Sequence, residues 1–247
     1  LQGFDLFFGH LTQSDGSVKY FPTTLRENNQ IVPVSGGVYV DDLYTTKAID
    51  FITQNRNEPF FLHLTYNIPH SPFVVPSHDP YATRPWSVSQ KAYAAMHTRM
   101  DTNIGRLMTV LANLGIDQDT LVIFASDNGP EVCCSENQDA ERLFHTAGPL
   151  RGNKGLLYEG GIRVPFIARW PGRIPQNRVS NDVIALWDIL PTFAELAHVP
   201  PARGIDGISI VPALFATGNV SREYLYWEFP NYGGSQAVRM GDWKGVR

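Results

Sequence analysis

A short apolar run that ends in a polar turn constrains the fold of this chain more than any other stretch. Residues 121–125 read LVIFA, and Ser126, Asp127, Asn128 and Gly129 follow at once. A continuous apolar run bounded by turn residues predicts a strand that is buried on both faces, the kind found in parallel sheets. The sequence therefore favours an α/β architecture, a mostly parallel sheet flanked by helices.

Two polar side chains stand at the carboxyl end of this predicted strand. In open α/β sheets, ligands bind outside the carboxyl ends of the strands, so Asp127 and Asn128 are predicted to face a crevice. A carboxylate and an amide oxygen are hard ligands that suit Ca²⁺ or Mg²⁺. We interpret Asp127 and Asn128 as ligands of a metal ion, with Ca²⁺ and Mg²⁺ both open on the residues alone.

A glycine-rich loop, RGNKG at residues 151–155, supplies a cation. Gly152 and Gly155 let the backbone bend sharply around Lys154, whose ammonium is a compact positive charge suited to an oxyanion. A lysine in a loop is often only solvated, but this loop context favours a role in binding, and we predict that Lys154 contacts the substrate. The neighbouring Arg151 either supports the site or faces solvent, and the sequence leaves both possibilities open.

A histidine stands between two prolines, directly after residues 59–66, PFFLHLTY, which form a second candidate for a buried strand. Pro69 and Pro72 cannot continue a strand or a helix, so they display His70 on a stiff loop. An imidazole can donate a proton near neutral pH, which suits a general acid for a departing alcohol. We predict that His70 is catalytic.

Three segments carry a specific pattern when they are taken in order. They read FFLHLTYNIPHSPFVVP, SDNGP and RGNKGLLYEGGIRVPFIARWPG. SDNG alone is weak evidence, because Asx-Gly is ordinary turn chemistry, but SDNG followed by GxKGxxYEGGxRVP is specific. Together the segments resemble the sulfatase family of the alkaline phosphatase superfamily, in particular the arylsulfatase and N-acetylgalactosamine-6-sulfatase type. The resemblance runs from GFDLFFG to QAVRMGDWKGVR, essentially the whole chain.

The resemblance implies a fold and an activity. We expect an alkaline-phosphatase-like α/β domain over residues 1–220 and the beginning of a small C-terminal antiparallel subdomain over residues 221–247. The implied reaction is the hydrolysis of a sulfate ester, either a sulfated small molecule or a glycan. Ca²⁺ and a formylglycine, made by a formylglycine-generating enzyme, take part in that reaction. A periplasmic, secreted or lysosomal location is expected from the family.

The resemblance also assigns roles to individual residues. His70 matches the histidine of the family's PHxP motif, which contacts the scissile ester oxygen, and Lys154 matches a lysine that contacts the sulfate. Both are therefore expected to be catalytic and to bind substrate. Glu159 and Arg163 resemble residues that brace the glycine-rich loop through ion pairs.

Parts of the family pattern are missing. The family converts a Cys or Ser in a C/S-x-P-x-R motif to formylglycine, whereas Cys134 is followed by Ser-Glu-Asn, so neither Cys133 nor Cys134 is expected to be the nucleophile. The early Asp-Asp metal pair and the Lys-x-His element are also not found. Asp41 and Asp42 are instead interpreted as an N-cap and a dipole-favouring acid of a helix. We therefore expect a sulfatase segment cut at both ends, inactive alone, with its formylglycine outside residues 1–247.

Two other functions remain open at this stage. The chain could be a phosphatase or phosphonate hydrolase of the same superfamily, although Asn128 and YEGG favour sulfate, or a non-catalytic homologue that binds sulfated glycans. A net charge of −4 gives no support to a nucleic-acid partner. No apolar run approaches the roughly 20 residues of a membrane span. Asn219-Val220-Ser221 is a glycosylation sequon.

Several elements outside these motifs are also predicted. Apolar residues at helical spacing predict helices over residues 41–56 and 91–114, and a third helix is predicted to begin near Asp188. Residues 164–170 favour a strand, and the alternating pattern from residue 224 onwards predicts antiparallel hairpins.

Overall fold

The chain forms two compact units in a computed structural model that describes residues 3–10, 19–200, 202–230 and 233–247. The first unit comprises Leu1–Asp117 and Glu131–Thr146, and the second comprises Gln118–Pro130 and Ala147–Arg247. Each unit is therefore built from two separate stretches of chain. His70 belongs to the first unit, whereas Asp127, Asn128 and Lys154 belong to the second.

In the first unit, the part of the chain that the structure describes forms a small antiparallel sheet and three helices. Its elements are β1 (Phe8–Gly9), β2 (Thr24–Glu27), β3 (Gln30–Pro33), α1 (Val40–Gln54), α2 (Val88–Asn113) and α3 (Ser135–Phe144). The strands pair in the order β1-β2-β3. Aromatic rings and the apolar faces of α1 and α2 form the core, in which Val40 and Met96 are fully buried.

Hydrogen bonds between Ser87 and Gln90 fix the start of helix α2. The Ser87 hydroxyl accepts a hydrogen bond from the Gln90 backbone N–H at 3.1 Å, and the Gln90 side chain accepts one from the Ser87 backbone N–H at 3.1 Å. This reciprocal arrangement is a capping box. The predicted helix over residues 91–114 is confirmed, and its start lies three residues earlier than the periodicity indicated.

The described residues of the second unit form two sheets and three α-helices. Its elements are β4 (Val122–Ala125), α4 (Glu159–Ile162), β5 (Phe166–Arg169), α5 (Ile189–Leu196), α6 (Val211–Phe215), β6 (Leu225–Phe229), β7 (Ser235–Met240) and β8 (Trp243–Val246). A 3₁₀ turn at Leu186–Asp188 leads directly into α5, as the prediction of a helix near Asp188 required. No helix among the described residues is both long enough and apolar enough to span a membrane.

The strand predictions are confirmed only in part. β4 and β5 form where they were expected, but they pair with each other in antiparallel register, with Ile123 opposite Ala168. All strand pairs among the described residues are antiparallel, so the predicted parallel sheet is not seen there. Residues 59–66 adopt no strand, and that prediction is wrong. An apolar run indicates burial, whereas a strand also needs a neighbour for its backbone hydrogen bonds.

The C-terminal hairpins are confirmed. β6, β7 and β8 form one antiparallel sheet in chain order. Leu225 lies opposite Arg239, and Arg239 lies opposite Lys244. One face of this sheet buries Leu225 and Ala237, while Tyr226 and Trp243 on alternate positions are exposed.

Candidate active site

The turn after β4 presents two oxygen donors. Asp127 is exposed and Asn128 is half-buried. The Ser126 hydroxyl donates to the Asn128 carbonyl at 2.9 Å, and the Asn128 side-chain amide donates to the Gly129 carbonyl at 3.3 Å. Within the described part of the chain, the Asp127 carboxylate has no hydrogen-bond or ion-pair partner. The Asp127 carboxylate and the Asn128 amide oxygen are thus both available to a ligand.

Glycines bring the backbones of three motifs into direct contact. The Gly129 N–H donates to the Gly161 carbonyl at 2.8 Å. A Cβ on Gly129 would lie 1.8 Å from the Gly160 carbonyl oxygen, and one on Gly160 would lie 2.1 Å from the Gly152 oxygen. No side chain fits in such spaces. This contact explains why SDNG, RGNKG and YEGG occur together, and we call these three segments the glycine junction.

Lys154 is tied to the same turn through its backbone. Its N–H donates to the Pro130 carbonyl at 2.8 Å, so the lysine emerges beside the turn that carries Asp127. Gly152 and Gly155 both have φ of +86°, a region in which glycine is favoured. The sharp bend predicted around Lys154 is confirmed.

Arg151 packs against a ring within the same loop. Its guanidinium carbon lies 3.9 Å from the centroid of the Tyr158 ring, a cation–π contact. Its carbonyl accepts a hydrogen bond from the Gly160 N–H at 2.7 Å. Arg151 thus contacts its own loop while the residue as a whole is exposed, and a role in the site stays a prediction.

Glu159 braces the loop, as the resemblance implied, and its partners come from the C-terminal sheet. Its carboxylate lies 2.8 Å from the Lys244 ammonium and 3.4 Å from the Arg239 guanidinium. These partners lie far along the sequence and could not be inferred from it. Arg163 is exposed and takes part in no ion pair within the described residues, so the bracing role predicted for Arg163 is wrong.

His70 has a defined ring tautomer in the first unit. Its Nδ1 lies 2.6 Å from the Ser71 carbonyl oxygen. Because a carbonyl can only accept, Nδ1 carries the proton of this hydrogen bond. Nε2 is then the nitrogen that can exchange a proton with a substrate.

Two buried side chains, Tyr20 and Asp41, hold the loop that carries His70. The Tyr20 hydroxyl donates to the carbonyls of His70 and Asn67. The Asp41 carboxylate accepts from the backbone N–H of Asn67 at 2.7 Å and of Ile68 at 3.4 Å. Sequence reasoning missed Tyr20 and gave Asp41 a different role, since only a tertiary contact reveals what they hold.

The N-cap interpretation of the acidic pair is wrong. The N-cap of α1 is Tyr39, and no side chain caps it. Asp41 and Asp42 lie in the first turn, where the helix dipole favours acids, but their carboxylates have other partners. Asp42 binds Arg99 and Asn103 on α2.

Burial perturbs the Asp41 carboxyl. The residue is fully buried, and its desolvation raises the pKa of Asp41 to about 6, against the effect of the backbone hydrogen bonds from Asn67 and Ile68. Its second oxygen, Oδ2, has no hydrogen-bond partner among the described residues. Burying this carboxyl group costs much more free energy when it is ionised than when it is neutral.

The donor set for a metal ion is small. Among the described residues, no three His, Cys, Asp or Glu side chains come together to hold an ion. Asp127 and Asn128 offer adjacent hard oxygens, which fit Ca²⁺ in kind, but Ca²⁺ takes about six to eight oxygen ligands. The two residues can therefore supply only part of a calcium shell.

The cysteines show no sign of activation. Both are free thiols, with Cys133 exposed and Cys134 half-buried. Desolvation, together with hydrogen bonds to Glu131 and Cys134, raises the pKa of Cys133 to about 11. A thiol with a raised pKa is a weak nucleophile near neutral pH, which agrees with the prediction that Cys133 is not catalytic.

The chain matches the models of two known protein families. The family model named Sulfatase matches residues 1–199. This chain belongs to the sulfatase family. A second family model, N-sulphoglucosamine sulphohydrolase, C-terminal, matches residues 152–247, so the similarity extends through the glycine junction into the C-terminal sheet.

The chain is also similar in sequence to individual sulfatases. It is 32% identical to N-acetylgalactosamine-6-sulfatase of Canis lupus familiaris over 216 residues, 85% of this chain and 38% of the relative. It is 35% identical to arylsulfatase A of Homo sapiens over 196 residues, 77% of this chain and 36% of the relative. The chain thus spans less than half of the length of these relatives.

The structural similarity is also extensive. The structure of Ps i-CgsB in complex with k-i-k-neocarrahexaose matches with a TM-score of 0.82 and 28% identity, over 100% of this chain and 58% of that chain. This match supports the α/β sulfatase fold predicted from the sequence.

Proposed function

We propose that this protein hydrolyses sulfate esters and that its substrates are sulfated sugars. The observation that carries the proposal is the hydrogen bond from the Lys154 N–H to the Pro130 carbonyl at 2.8 Å. It holds the backbone of Lys154 beside the turn that carries Asp127 and Asn128. The name of the N-acetylgalactosamine-6-sulfatase relative supports a sugar as the sulfated group.

In this proposal, charge neutralisation is the main contribution of the second unit. Lys154 binds the sulfate oxygens, on which negative charge is concentrated, and the glycine junction holds its backbone in place. Asp127 and Asn128 hold part of the Ca²⁺ shell. When bound, the ion would supply a Lewis acid for a sulfate oxygen, and a formylglycine would supply the attacking oxygen.

His70 contributes the proton for the departing alcohol. Its Nδ1–H is engaged with the Ser71 carbonyl. In this proposal His70 acts as the doubly protonated imidazolium, and its Nε2–H passes a proton to the ester oxygen as the sulfur–oxygen bond breaks. Tyr20 and Asp41 keep the loop in place without touching the substrate. A sugar alkoxide is a poor leaving group, and this proton therefore matters more for a sugar sulfate than for an aryl sulfate.

Turnover by the full-length protein, coexpressed with a formylglycine-generating enzyme, tests the proposal. We expect it to hydrolyse 4-nitrophenyl sulfate and N-acetylgalactosamine 6-sulfate. Lys154→Ala should lower kcat/KM for both by about 10²–10³-fold. His70→Ala should lower kcat for the sugar sulfate by about 10²–10⁴-fold and much less for the aryl sulfate.

Matched variants control this experiment. Lys91→Ala and His78→Ala change the same residue types at positions outside the proposed site and should leave both rates within about twofold. An unchanged rate for Lys154→Ala, or no sulfate release from either substrate, would contradict the proposed function.

Calcium dependence tests the metal ligands separately. Asp127→Asn removes one charged ligand, so the full-length protein should need at least about tenfold more Ca²⁺ for half-maximal activity. Asp101→Asn, an exposed position on α2, is the control and should not change the Ca²⁺ requirement. Activity that survives complete chelation would refute the role of Asp127 in holding the ion.

A further inference from the structure

A cavity of about 720 Å³ lies in the second unit, and none of the proposed site residues lines it. Its walls come from residues 178–183, residues 219–225, and Arg239 with Gly241. Its volume falls within the range of about 300–1,000 Å³ that is typical of small-molecule sites. The chain therefore has a second concave surface large enough for one or two sugar rings.

Hydrogen bonds fix the two main walls to each other. The Asp182 carboxylate accepts from the Val220 N–H at 2.9 Å and from the Ser180 hydroxyl. These bonds, the Ser180 hydroxyl first, lower the pKa of Asp182 below its ordinary value. These hydrogen bonds occupy both Asp182 oxygens, and the carboxylate keeps its negative charge. Glu223, the other carboxylate of the lining, is exposed to solvent.

Three arginines line the cavity beside these two carboxylates, so guanidinium donors are concentrated there in a chain whose net charge is −4. Arg222 is held by the fully buried Asp188, and its own side chain is 12% exposed. The Arg222 Nε is buried and has no acceptor among the described residues. A guanidinium held by one carboxylate retains donors in a fixed plane, the arrangement that recognises planar or tetrahedral oxyanions.

The other two arginines are also anchored rather than free in solvent. Arg178 donates to the Ala213 carbonyl. Arg239 donates to the Gly241 carbonyl at 3.2 Å and is also paired with the Glu159 carboxylate at 3.4 Å. Anchored side chains lose less conformational entropy when a ligand binds. The cations are therefore prepared for a bound anion.

The rest of the lining suits a sugar. Asn181, Asn219 and Ser221 offer amides and a hydroxyl, which can both donate and accept. Tyr224 is 55% exposed, so its ring offers an apolar face beside these polar groups. Hydroxyl-bonding groups, an aromatic face and arginines together match a saccharide that carries oxyanions.

We propose that this cavity binds a sulfated saccharide. The oxyanion chemistry follows from the three arginines, and the choice of sulfate rests on the proposed function. The cavity would hold a part of a sulfated chain that is not itself being hydrolysed. Such a site would raise the affinity for long substrates over short ones.

Binding to the 247-residue chain, expressed in a bacterium so that the sequon stays unmodified, tests the proposal. The probe is a fluorescent chondroitin 6-sulfate hexasaccharide, compared with the desulfated hexasaccharide by fluorescence polarisation. All variants are made in a Lys154→Ala background, which removes the sulfate-binding residue of the proposed hydrolytic site. We expect the sulfated probe to bind about tenfold more tightly than the desulfated one.

Substitutions in the lining should weaken that binding. Tyr224→Ala and Arg178→Gln should each weaken it about fivefold to tenfold. The controls are Tyr226→Ala, a 47% exposed tyrosine on the same strand region, and Arg203→Gln, an exposed arginine. Neither lines the cavity, so both should bind the probe as the parent does. Circular dichroism confirms that each variant is folded.

Three outcomes would overturn the proposal. The first is equal binding of the sulfated and desulfated probes. The second is an equal loss of affinity for the sulfated probe in the lining variants and the control variants. The third is displacement of the probe by inorganic sulfate at a concentration similar to that at which the unlabelled sulfated hexasaccharide displaces it. These outcomes are independent of turnover. A protein that hydrolyses sulfate esters but fails this test loses only the cavity site, whereas binding without turnover by the full-length protein refutes the proposed function and keeps the site.

Discussion

The Asp41 carboxylate is fully buried where α1 begins, and it holds the backbone of the loop that carries His70. Burial raises the pKa of Asp41 from 3.8 to about 6. The folded chain thus binds the proton more tightly than the unfolded chain does. Stability is then highest when Asp41 is neutral and falls as the pH rises from about 4 to about 6.

Asp41→Asn tests this linkage. The asparagine oxygen can accept the same two backbone hydrogen bonds, while the cost of burying a charge disappears. At pH 7 we expect the free energy of unfolding to rise by about 1–3 kcal/mol, and near pH 4 we expect little change. Urea unfolding at several pH values between 4 and 7 measures both effects.

The exposed Asp101 provides the control for this experiment. Asp101→Asn should leave both the stability and its pH dependence close to those of the parent chain, because the exposed Asp101 side chain stays in contact with water when the chain folds. If Asp41→Asn destabilised the protein at pH 7, the ionised carboxylate would have to be favourable in the fold, contrary to our account.

At the scale of single residues, the sequence predicted the candidate site residues that belong to short local motifs. His70, Lys154, Asp127 and Asn128 were all singled out through short patterns, and the structure places Lys154 beside the turn that contains the two proposed metal ligands. Whether these residues bind substrate and metal remains a prediction. The N-cap interpretation of Asp41 was wrong, because its hydrogen-bond partners lie in a loop that is distant in sequence. Helical periodicity carries no information about such contacts.

At the scale of elements, the glycine junction shows why small residues recur in three motifs. Gly129 lies directly against the backbone of α4, where a Cβ would come within 1.8 Å of the Gly160 oxygen. Backbone atoms on both sides cannot move aside as a flexible side chain can. The junction therefore depends on the absence of side chains.

Gly129→Ala tests the packing of this junction. Overpacking of this kind costs about 1–3 kcal/mol or more, and it should also break the hydrogen bond from Gly129 to Gly161. Gly105→Ala is the matched control, because Gly105 lies in α2 and a Cβ there would meet nothing within 4 Å beyond its own helix backbone. It should stabilise the chain by about 0.5–1 kcal/mol. Equal thermal midpoints for the two variants would contradict this account.

The helices were more predictable than the sheets. α1 and α2 follow from apolar residues at helical spacing within each segment, information that is wholly local. The direction in which β4 pairs depends on a strand about forty residues away in sequence, and an apolar run of five residues does not encode it. The hairpins of β6 to β8 were predictable because their partners are adjacent in sequence.

At the scale of the whole molecule, each unit is assembled from two stretches of chain. The second unit takes β4 from Gln118–Pro130 and the remainder from Ala147–Arg247. The stretch that supplies β4 also supplies the proposed metal ligands. Neither the sheet of β4 and β5 nor the proposed site can form from one continuous piece that begins at residue 147.

Truncation tests this interleaving. A fragment of residues 147–247 lacks β4 and leaves β5 without its partner, so we expect no cooperative thermal unfolding of that sheet region. A fragment of residues 118–247 keeps both strands and should give dispersed amide resonances for β5 in an NMR spectrum. Similar spectra for β5 in both fragments would show that the pairing with β4 is dispensable.

The ion pairs of Glu159 have a consequence for inherited variation. Arg239 and Lys244 lie on C-terminal strands, yet the carboxylate they hold belongs to the segment that closes around Lys154. A missense change at either position would reach Lys154, the residue proposed to bind sulfate, through Glu159. Its phenotype would resemble that of a catalytic lesion, even though the altered codon lies in the region that encodes the hairpin.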